Sequence, residues 1–179
     1  MSLKDEVRKA IPELELIKDD ELREKTLDVW VDGMEGGGWT VEDLADIPFT
    51  LLVDTKVSLL DHTRAVTRTA AAIADVMTEF YGDAMPINKD YLISGGILHD
   101  VGKLLEYRRD GGKIVKSDCG KDLRHPFSGT ALAYRRGVPT AICHLIAAHA
   151  KEGEGVRHMP EAVIIHYADF SNFESLKLV

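Results

Sequence analysis

An adjacent histidine and aspartate, His99 and Asp100, lie between apolar residues in the segment GILHDVGKLLEY, residues 96–107. A buried carboxylate without a partner is strongly unfavourable, so a compensating positive charge is needed beside Asp100. Further side chains of the same two types occur on other predicted helices or helix ends: His62, His125, His149 and Asp169. Imidazoles and carboxylates that converge in an apolar helical core form a site for a divalent cation. We therefore expect Asp100 to be buried together with a metal ion.

The spacing of apolar residues turns these side chains toward a common interior. On a helix predicted over residues 56–80, the apolar stripe extended back by one turn reaches His62. The members of that stripe are Val66, Ile73, Val76, Met77 and Phe80. His149 follows the apolar face of a helix predicted over residues 140–150, and Asp169 lies on the inner face of the last helix. A single inward histidine is more often a hydrogen-bonded core residue, but their convergence favours a metal site.

Capping and turn signals define the elements around the His-Asp pair. Asn88 precedes a helix that carries His99 and Asp100 in its C-terminal half. An Asp-Gly pair at residues 110–111 predicts the turn of a β-hairpin over residues 105–117.

Two further signals complete the predicted organisation. Pro126 at a first helical position, with Gly137 after the last, predicts a helix that has His125 at its cap. Residues 1–54 carry two helix-capping boxes and form a predicted acidic helical extension that covers the core without chemistry of its own. Residues 55–179 would then form the domain that holds the site.

Length and composition limit the classes of protein that fit. A chain of 179 residues with 45% apolar residues can bury one full core. No apolar run approaches the roughly 20 residues that a membrane span requires, which predicts a protein outside the membrane. The two cysteines, Cys119 and Cys143, suit a reducing compartment, so we expect a cytoplasmic protein in which Cys143 is a small core residue.

The charge is unevenly distributed along the chain. A net charge of −8 argues against binding to a nucleic acid duplex. Residues 1–55 hold 15 acids and 6 bases, whereas residues 101–136 hold 9 bases and 4 acids. This basic stretch is either a solvated face or the rim of a site for an anionic substrate.

The order of these residues resembles that of the HD superfamily of metal-dependent phosphohydrolases, over about residues 55–175. The most specific parts are HDVGK at the end of an apolar helix and the late Ala-Asp in HYADFSN. The resemblance implies an all-α HD-domain bundle with one or two divalent ions, which could be Mn, Fe, Co, Ni, Zn or Mg. It assigns the first metal to His62, His99, Asp100 and Asp169. It assigns a second metal to His125 and His149, with Asp100 as the bridge. His166 has no counterpart, so we expect it to support a ligand or pack in the core.

The same resemblance implies hydrolysis of a phosphomonoester or phosphodiester by a metal-activated water. The substrate would be a nucleotide or another small phosphorylated metabolite, and the protein could be a homodimer. Asp100 and Lys103 are the expected catalytic residues. Lys103, one turn beyond His99, and Arg124, beside His125, are expected to contact the substrate phosphate unless they are solvated surface side chains.

Two other classes of function share part of this pattern. Dinuclear iron oxygenases similar to inositol oxygenase have the same ligand order, so spacing does not separate them from hydrolases; the basic stretch favours a phosphate. A regulatory module with a decayed site would be expected to have lost a ligand, whereas every expected ligand is present. The cyclic-dinucleotide branch is disfavoured because no Gly-Tyr-Pro triplet follows His149. The guanosine tetraphosphate hydrolases are disfavoured because 179 residues leave no room for their companion domains.

Overall fold

The computed structural model, which describes residues 2–178, is built mainly of α-helices. The α-helices are α1 (Leu3–Ala10), α2 (Asp20–Gly37), α3 (Leu59–Tyr81), α4 (Lys89–Leu98), α5 (Lys103–Glu106), α6 (Asp118–Asp122), α7 (His125–Arg135), α8 (Thr140–Ala148) and α9 (Pro160–Leu176). Short 3₁₀ helices span Pro12–Leu16, Glu42–Ala45, Gly82–Ala84 and Lys151–Gly153. The strands β1 (Tyr107–Asp110) and β2 (Lys113–Lys116) form an antiparallel hairpin. This architecture confirms the predicted all-α fold with a small hairpin.

Three helices begin at residues whose side chains cap the first turn, and the sequence predicts Asn88 in this role. Asp19, Ser58 and Asn88 each accept a hydrogen bond from a backbone N–H in the first turn of α2, α3 and α4. At the other end of α2, Gly38 adopts a left-handed conformation with φ of 70°, which stops the helix. Within residues 2–178, no helix combines the length and apolar composition that a membrane span requires.

The hairpin turn lies one residue later than predicted. Gly111 and Gly112 occupy its centre, with φ values of 54° and 83°. Positive φ at both central residues favours glycine and matches the twist of a two-residue hairpin. Asp110 is consequently the last residue of β1, where it pairs with Lys113.

The N-terminal extension packs directly behind the His-Asp pair. The indole Nε1 of Trp30 donates to the carbonyl of Ile97 at 2.9 Å, and that of Trp39 donates to the carbonyl of Leu104 at 2.7 Å. Both indoles are buried in the main apolar core, so the extension supports the backbone before and after His99. The domain boundary at residue 54 remains a prediction.

The predicted apolar stripe of α3 is right at its start and wrong near its end. Val66 is buried, but Val76 and Phe80 are 56% and 73% exposed. The buried face continues from Val66 through Ala70 and Ala74, whose small side chains allow neighbouring helices to approach closely. The prediction failed because alanine carries little weight in a stripe of large apolar residues.

The His-Asp pair lies just beyond the end of α4, rather than inside it as predicted. The helix ends at Leu98, and a turn over residues 99–102 leads into α5. A Cβ atom on Gly102 would lie 2.1 Å from the carbonyl oxygen of His125 and 2.6 Å from the nitrogen of Gly129. Only glycine therefore allows the start of α7 to lie against this turn. That close approach brings His125 to Asp100.

Candidate metal centre

The carboxylate of Asp100 lies between two groups of histidine rings. Its Oδ2 is 3.5 Å from His62 Nε2 and 3.4 Å from His99 Nε2, and its Oδ1 is 3.2 Å from His125 Nε2 and 3.6 Å from His149 Nε2. Each oxygen therefore faces its own pair of imidazoles, with ligand atoms close enough to share an ion.

Asp169 joins the group on the Oδ2 side. Its Oδ1 is 3.0 Å from His62 Nε2 and 4.0 Å from His99 Nε2. We call His62, His99, Asp100 and Asp169 the first half-site, and Asp100, His125 and His149 the second half-site. All six residues that the sequence predicted as ligands thus lie together.

In three of the four histidines, a hydrogen bond at Nδ1 leaves Nε2 as the ring nitrogen that faces the centre. Nδ1 of His99 and Nδ1 of His149 are each 2.7 Å from the carbonyl oxygen of the residue three positions earlier. Nδ1 of His125 is 2.8 Å from Glu106 Oε2. A carbonyl or carboxylate accepts a hydrogen bond from Nδ1–H, so Nε2 is the nitrogen turned to the centre, as in histidines that bind metals.

The buried polar atoms of the centre fit a divalent cation. His99 is fully buried, and its Nε2 has no hydrogen-bond partner among residues 2–178. Such an atom is costly unless an ion or water satisfies it. Four imidazole nitrogens with carboxylate oxygens form a donor set that suits first-row transition metals.

The protonation states also favour binding of a cation. Burial opposes ionisation of Asp100, but Lys103 and His99 outweigh it and hold the pKa of this carboxyl well below its usual range. Burial lowers the pKa of the His62 ring, and it lowers the pKa of His125 to about 4. Asp100 is therefore charged while the rings of His62 and His125 are neutral, which are the forms that bind metals. For His99, burial is outweighed by the charge of Asp100, which raises the pKa of the ring.

Lys103 is buried and already has two partners. Its Nζ donates to Asp100 Oδ2 at 2.6 Å and to the carbonyl oxygen of Phe49 at 2.5 Å. The Phe49 ring packs on His62 with centroids 4.6 Å apart. From the sequence, no chemistry was expected of the N-terminal extension, yet its Phe49 orients Lys103 and covers His62, a candidate ligand.

Glu106 is a second residue of the site that was not predicted from the sequence. Its Oε2 accepts both the backbone N–H of His125 at 2.6 Å and the ring Nδ1–H at 2.8 Å. Burial opposes ionisation, but these bonds to His125 outweigh it, so the pKa of Glu106 is lowered. An acidic residue among apolar neighbours in LLEY was the available signal, and it is the same signal that drew attention to Asp100.

His166 lies behind His149, one of the candidate metal ligands. Its Nδ1 is 2.6 Å from the backbone carbonyl oxygen of His149, and its ring packs on Phe170 with centroids 4.4 Å apart. The residue therefore supports the end of α8 through a hydrogen bond to the backbone.

A cleft of about 480 Å³ opens beside the second half-site. We refer to it as the cleft. Its lining residues are Thr50, Leu51, Leu52, Val53, Lys103, Glu106, Tyr107, Lys116, Arg124, His125, Ala150, Lys151, Phe170, Phe173, Glu174 and Lys177. Five of these side chains are cationic, so the cleft can attract an anion.

The basic stretch over residues 101–136 is only in part the rim of this cleft. Lys103, Lys116 and Arg124 line the cleft. Arg136 and Arg135 instead pair with Asp32 on α2, where they hold α7 against the N-terminal extension. The prediction of a single rim was too broad because Arg124 lies at the start of α7 beside the cleft, whereas Arg135 and Arg136 lie at the other end of that helix.

Comparisons with known proteins agree with this geometry. The family profile of the HD domain matches residues 59–170. Dihydroneopterin 2′,3′-cyclic phosphate phosphodiesterase of Methanocaldococcus jannaschii is 33% identical over 163 residues, which cover 87% of this chain and 64% of that protein. Ribonuclease Y of Pseudothermotoga lettingae is 30% identical over 112 residues, which cover 63% of this chain and 18% of that protein. The chain therefore spans less than two thirds of either relative. No solved structure gives a significant match.

Proposed function

Because the chain belongs to the HD domain family, we propose that it is a metal-dependent phosphohydrolase acting on a small phosphorylated metabolite. One observation carries the proposal: the two oxygens of a buried carboxylate, Asp100, each face a pair of buried imidazoles beside a cationic cleft. This donor arrangement suits two cations that share one bridging carboxylate.

The half-sites define which residues would hold the metal. His62, His99, Asp100 and Asp169 would hold one ion, and His125 and His149 would hold a second with Asp100. The bound metal would polarise a phosphate oxygen and lower the pKa of a water molecule. We propose that the metal is one of Mn, Fe, Co, Ni, Zn and Mg. We also propose that two ions are bound rather than one.

Lys103 and Arg124 are the proposed phosphate contacts from the sequence pattern. Lys103 Nζ lines the cleft at its buried end, where it hydrogen-bonds to Asp100, so a phosphate beside that carboxylate would meet this ammonium. Arg124 lines the outer part of the cleft and pairs with Glu152 at 2.6 Å, so it would have to exchange that partner for a phosphate. We therefore assign the catalytic role to Lys103 with Asp100, and a role in substrate capture to Arg124.

The relative from Methanocaldococcus jannaschii is named for a cyclic phosphodiester. We propose a cyclic phosphodiester or a phosphomonoester of a nucleotide-sized metabolite as the substrate of this chain. A cytoplasmic location, a homodimer and the absence of binding to duplex nucleic acid also remain proposals. Both cysteines are unpaired, which suits a reducing compartment.

The test combines metal content with a substrate panel. The protein is purified without chelator, its metals are measured by elemental analysis, and hydrolysis of cyclic nucleotides, nucleotides and sugar phosphates is followed with each candidate metal. We expect bound metal and hydrolysis in the wild type, and loss of both in His99→Ala. His144→Ala, which removes a partly buried histidine of α8 outside both half-sites, is the control.

Two results would overturn the proposal. Protein that binds metal but cleaves no phosphoester in the panel would not be a phosphohydrolase of this class. Two irons per chain with oxygen consumption would instead assign it to the oxygenases similar to inositol oxygenase.

A further inference from the structure

The cleft has two chemically different walls. Lys116 of β2, Arg124 before α7 and Lys151 after α8 supply cations, whereas Phe170 and Phe173 of α9 supply aromatic rings. A ligand that fits both walls needs an anionic group and a planar ring; this conclusion rests on the function proposed above.

Most of the cleft cations are already paired with a carboxylate. The pairs are Lys103 with Asp100 at 2.6 Å, Lys116 with Glu106 at 3.5 Å, Arg124 with Glu152 at 2.6 Å and Lys177 with Glu174 at 3.0 Å. Lys151 has no carboxylate of residues 2–178 within 4.0 Å of its ammonium. It is therefore the cleft cation that binds an anion without first giving up an internal partner.

The backbone that carries Lys151 is held in place beside a metal-site histidine. Lys151 follows His149 by two residues. Arg157 donates to the carbonyl oxygens of Ala148 at 2.8 Å and Ala150 at 2.7 Å. A Cβ atom on Gly153 would lie 1.9 Å from the Ala148 carbonyl oxygen, so only glycine permits this tight turn. The position of Lys151 relative to the second half-site is thus determined by packing.

The two aromatic rings of the cleft differ in whether a cation already lies over them. Lys177 Nζ lies 5.1 Å from the centroid of the Phe173 ring, and Phe173 packs edge-on against Phe49. Phe170 packs on His166 and edge-on against Phe173, and it has no cation over its ring among residues 2–178. Phe170 is therefore the ring of this wall without a cation partner, which makes it the candidate to stack on a planar group in the cleft.

We propose that Lys151 binds the phosphate of the substrate and that Phe170 stacks on a planar heterocycle attached to it. Both residues would then select a phosphate ester that carries a planar heterocycle over a plain sugar phosphate. A volume of about 480 Å³ suits a ligand of that size. Neither residue is one of the metal-site residues, so both act on substrate selection.

The test measures binding of two probes that differ only in the ring. Equilibrium dialysis of the metal-loaded protein with GMP and with ribose 5-phosphate gives two dissociation constants, and chromatography corrects for any hydrolysis. We expect GMP to bind about 10-fold more tightly, because stacking of one base contributes at least several-fold in affinity.

The variants separate the two walls. Phe170→Leu should weaken GMP binding about 5-fold or more and leave ribose 5-phosphate unchanged. Lys151→Gln should weaken both probes by the same factor. Phe80→Leu and Lys113→Gln remove an exposed ring and an exposed cation outside the cleft and should change neither constant. Circular dichroism checks that each variant is folded.

Three outcomes would overturn the inference. They are equal affinity of the wild type for both probes, an equal effect of Phe170→Leu on both, and wild-type binding by Lys151→Gln. Because binding is measured apart from turnover, hydrolysis of sugar phosphates alone would retain the proposed function and reject the substrate class. Selective GMP binding without hydrolysis would retain the substrate class and reject the proposed function.

Discussion

Glu106→Gln should weaken the second half-site and leave the first intact. The substitution keeps the shape of the side chain but removes the charge that accepts two N–H groups of His125, at 2.6 Å and 2.8 Å. Residues that orient a metal-binding histidine in this way typically contribute 10- to 100-fold in metal affinity, or about 1.4 to 2.8 kcal/mol. Because Glu106 contacts His125 and none of His62, His99 and Asp169, only one of the two ions should be affected.

The assay is a calorimetric titration of metal-free protein with Mn²⁺, with elemental analysis of the product. Wild type should bind two ions per chain, and Glu106→Gln should bind one with unchanged affinity and a second about 10- to 100-fold more weakly. Glu161→Gln is the matched control, because Glu161 is also buried and accepts a backbone N–H, from Asn88 at 2.6 Å, outside both half-sites. Two ions bound with wild-type affinity in Glu106→Gln would refute the assigned role of Glu106.

Three further predictions concern the centre and the core. His149→Ala should retain the first metal, lose the second and cut hydrolysis severely; one metal in the wild type with full activity in the variant would reject the dinuclear arrangement. Lys103→Ala should reduce turnover of a phosphoester at near-normal metal content, and equal loss of metal by elemental analysis would instead indicate a structural role. Asp32→Asn should lower the free energy of unfolding by about 1 kcal/mol at pH 7, since Arg136 holds the pKa of Asp32 below its usual range. That stabilisation exists above the unfolded pKa of about 3.9 and is lost as the pH falls through the lower folded value, so the deficit in urea denaturation should shrink toward pH 3; a constant deficit would contradict the ion-pair explanation.

The candidate metal ligands could be proposed from sequence because several of them lie on a local pattern. His62 extends an apolar helical stripe, His149 follows another, and Asp169 shares a face with Ile165. Periodicity reports which way a side chain points relative to its own helix. The convergence of several inward histidines and carboxylates then required a common interior, which the all-α fold supplies.

The residues around those ligands depend on contacts between segments far apart in the chain. Phe49 lies 54 residues before Lys103, and Glu106 lies 19 residues before His125. No local spacing rule links such pairs. The same holds for Lys151, which has no counter-ion among residues 2–178, because only the folded chain shows where the neighbouring carboxylates lie.

The sequence by itself determined the all-α class, several helix starts and the set of inward-facing histidines and carboxylates, because these follow from interactions within one or two helical turns. Tertiary structure alone decided that the two oxygens of Asp100 face different histidine pairs, and that the cleft opens beside only one of them. The physical reason lies in close packing: the bare Cα of Gly102 lets α7 approach the turn after α4, and the resulting approach of two backbones sets the distance from His125 to Asp100.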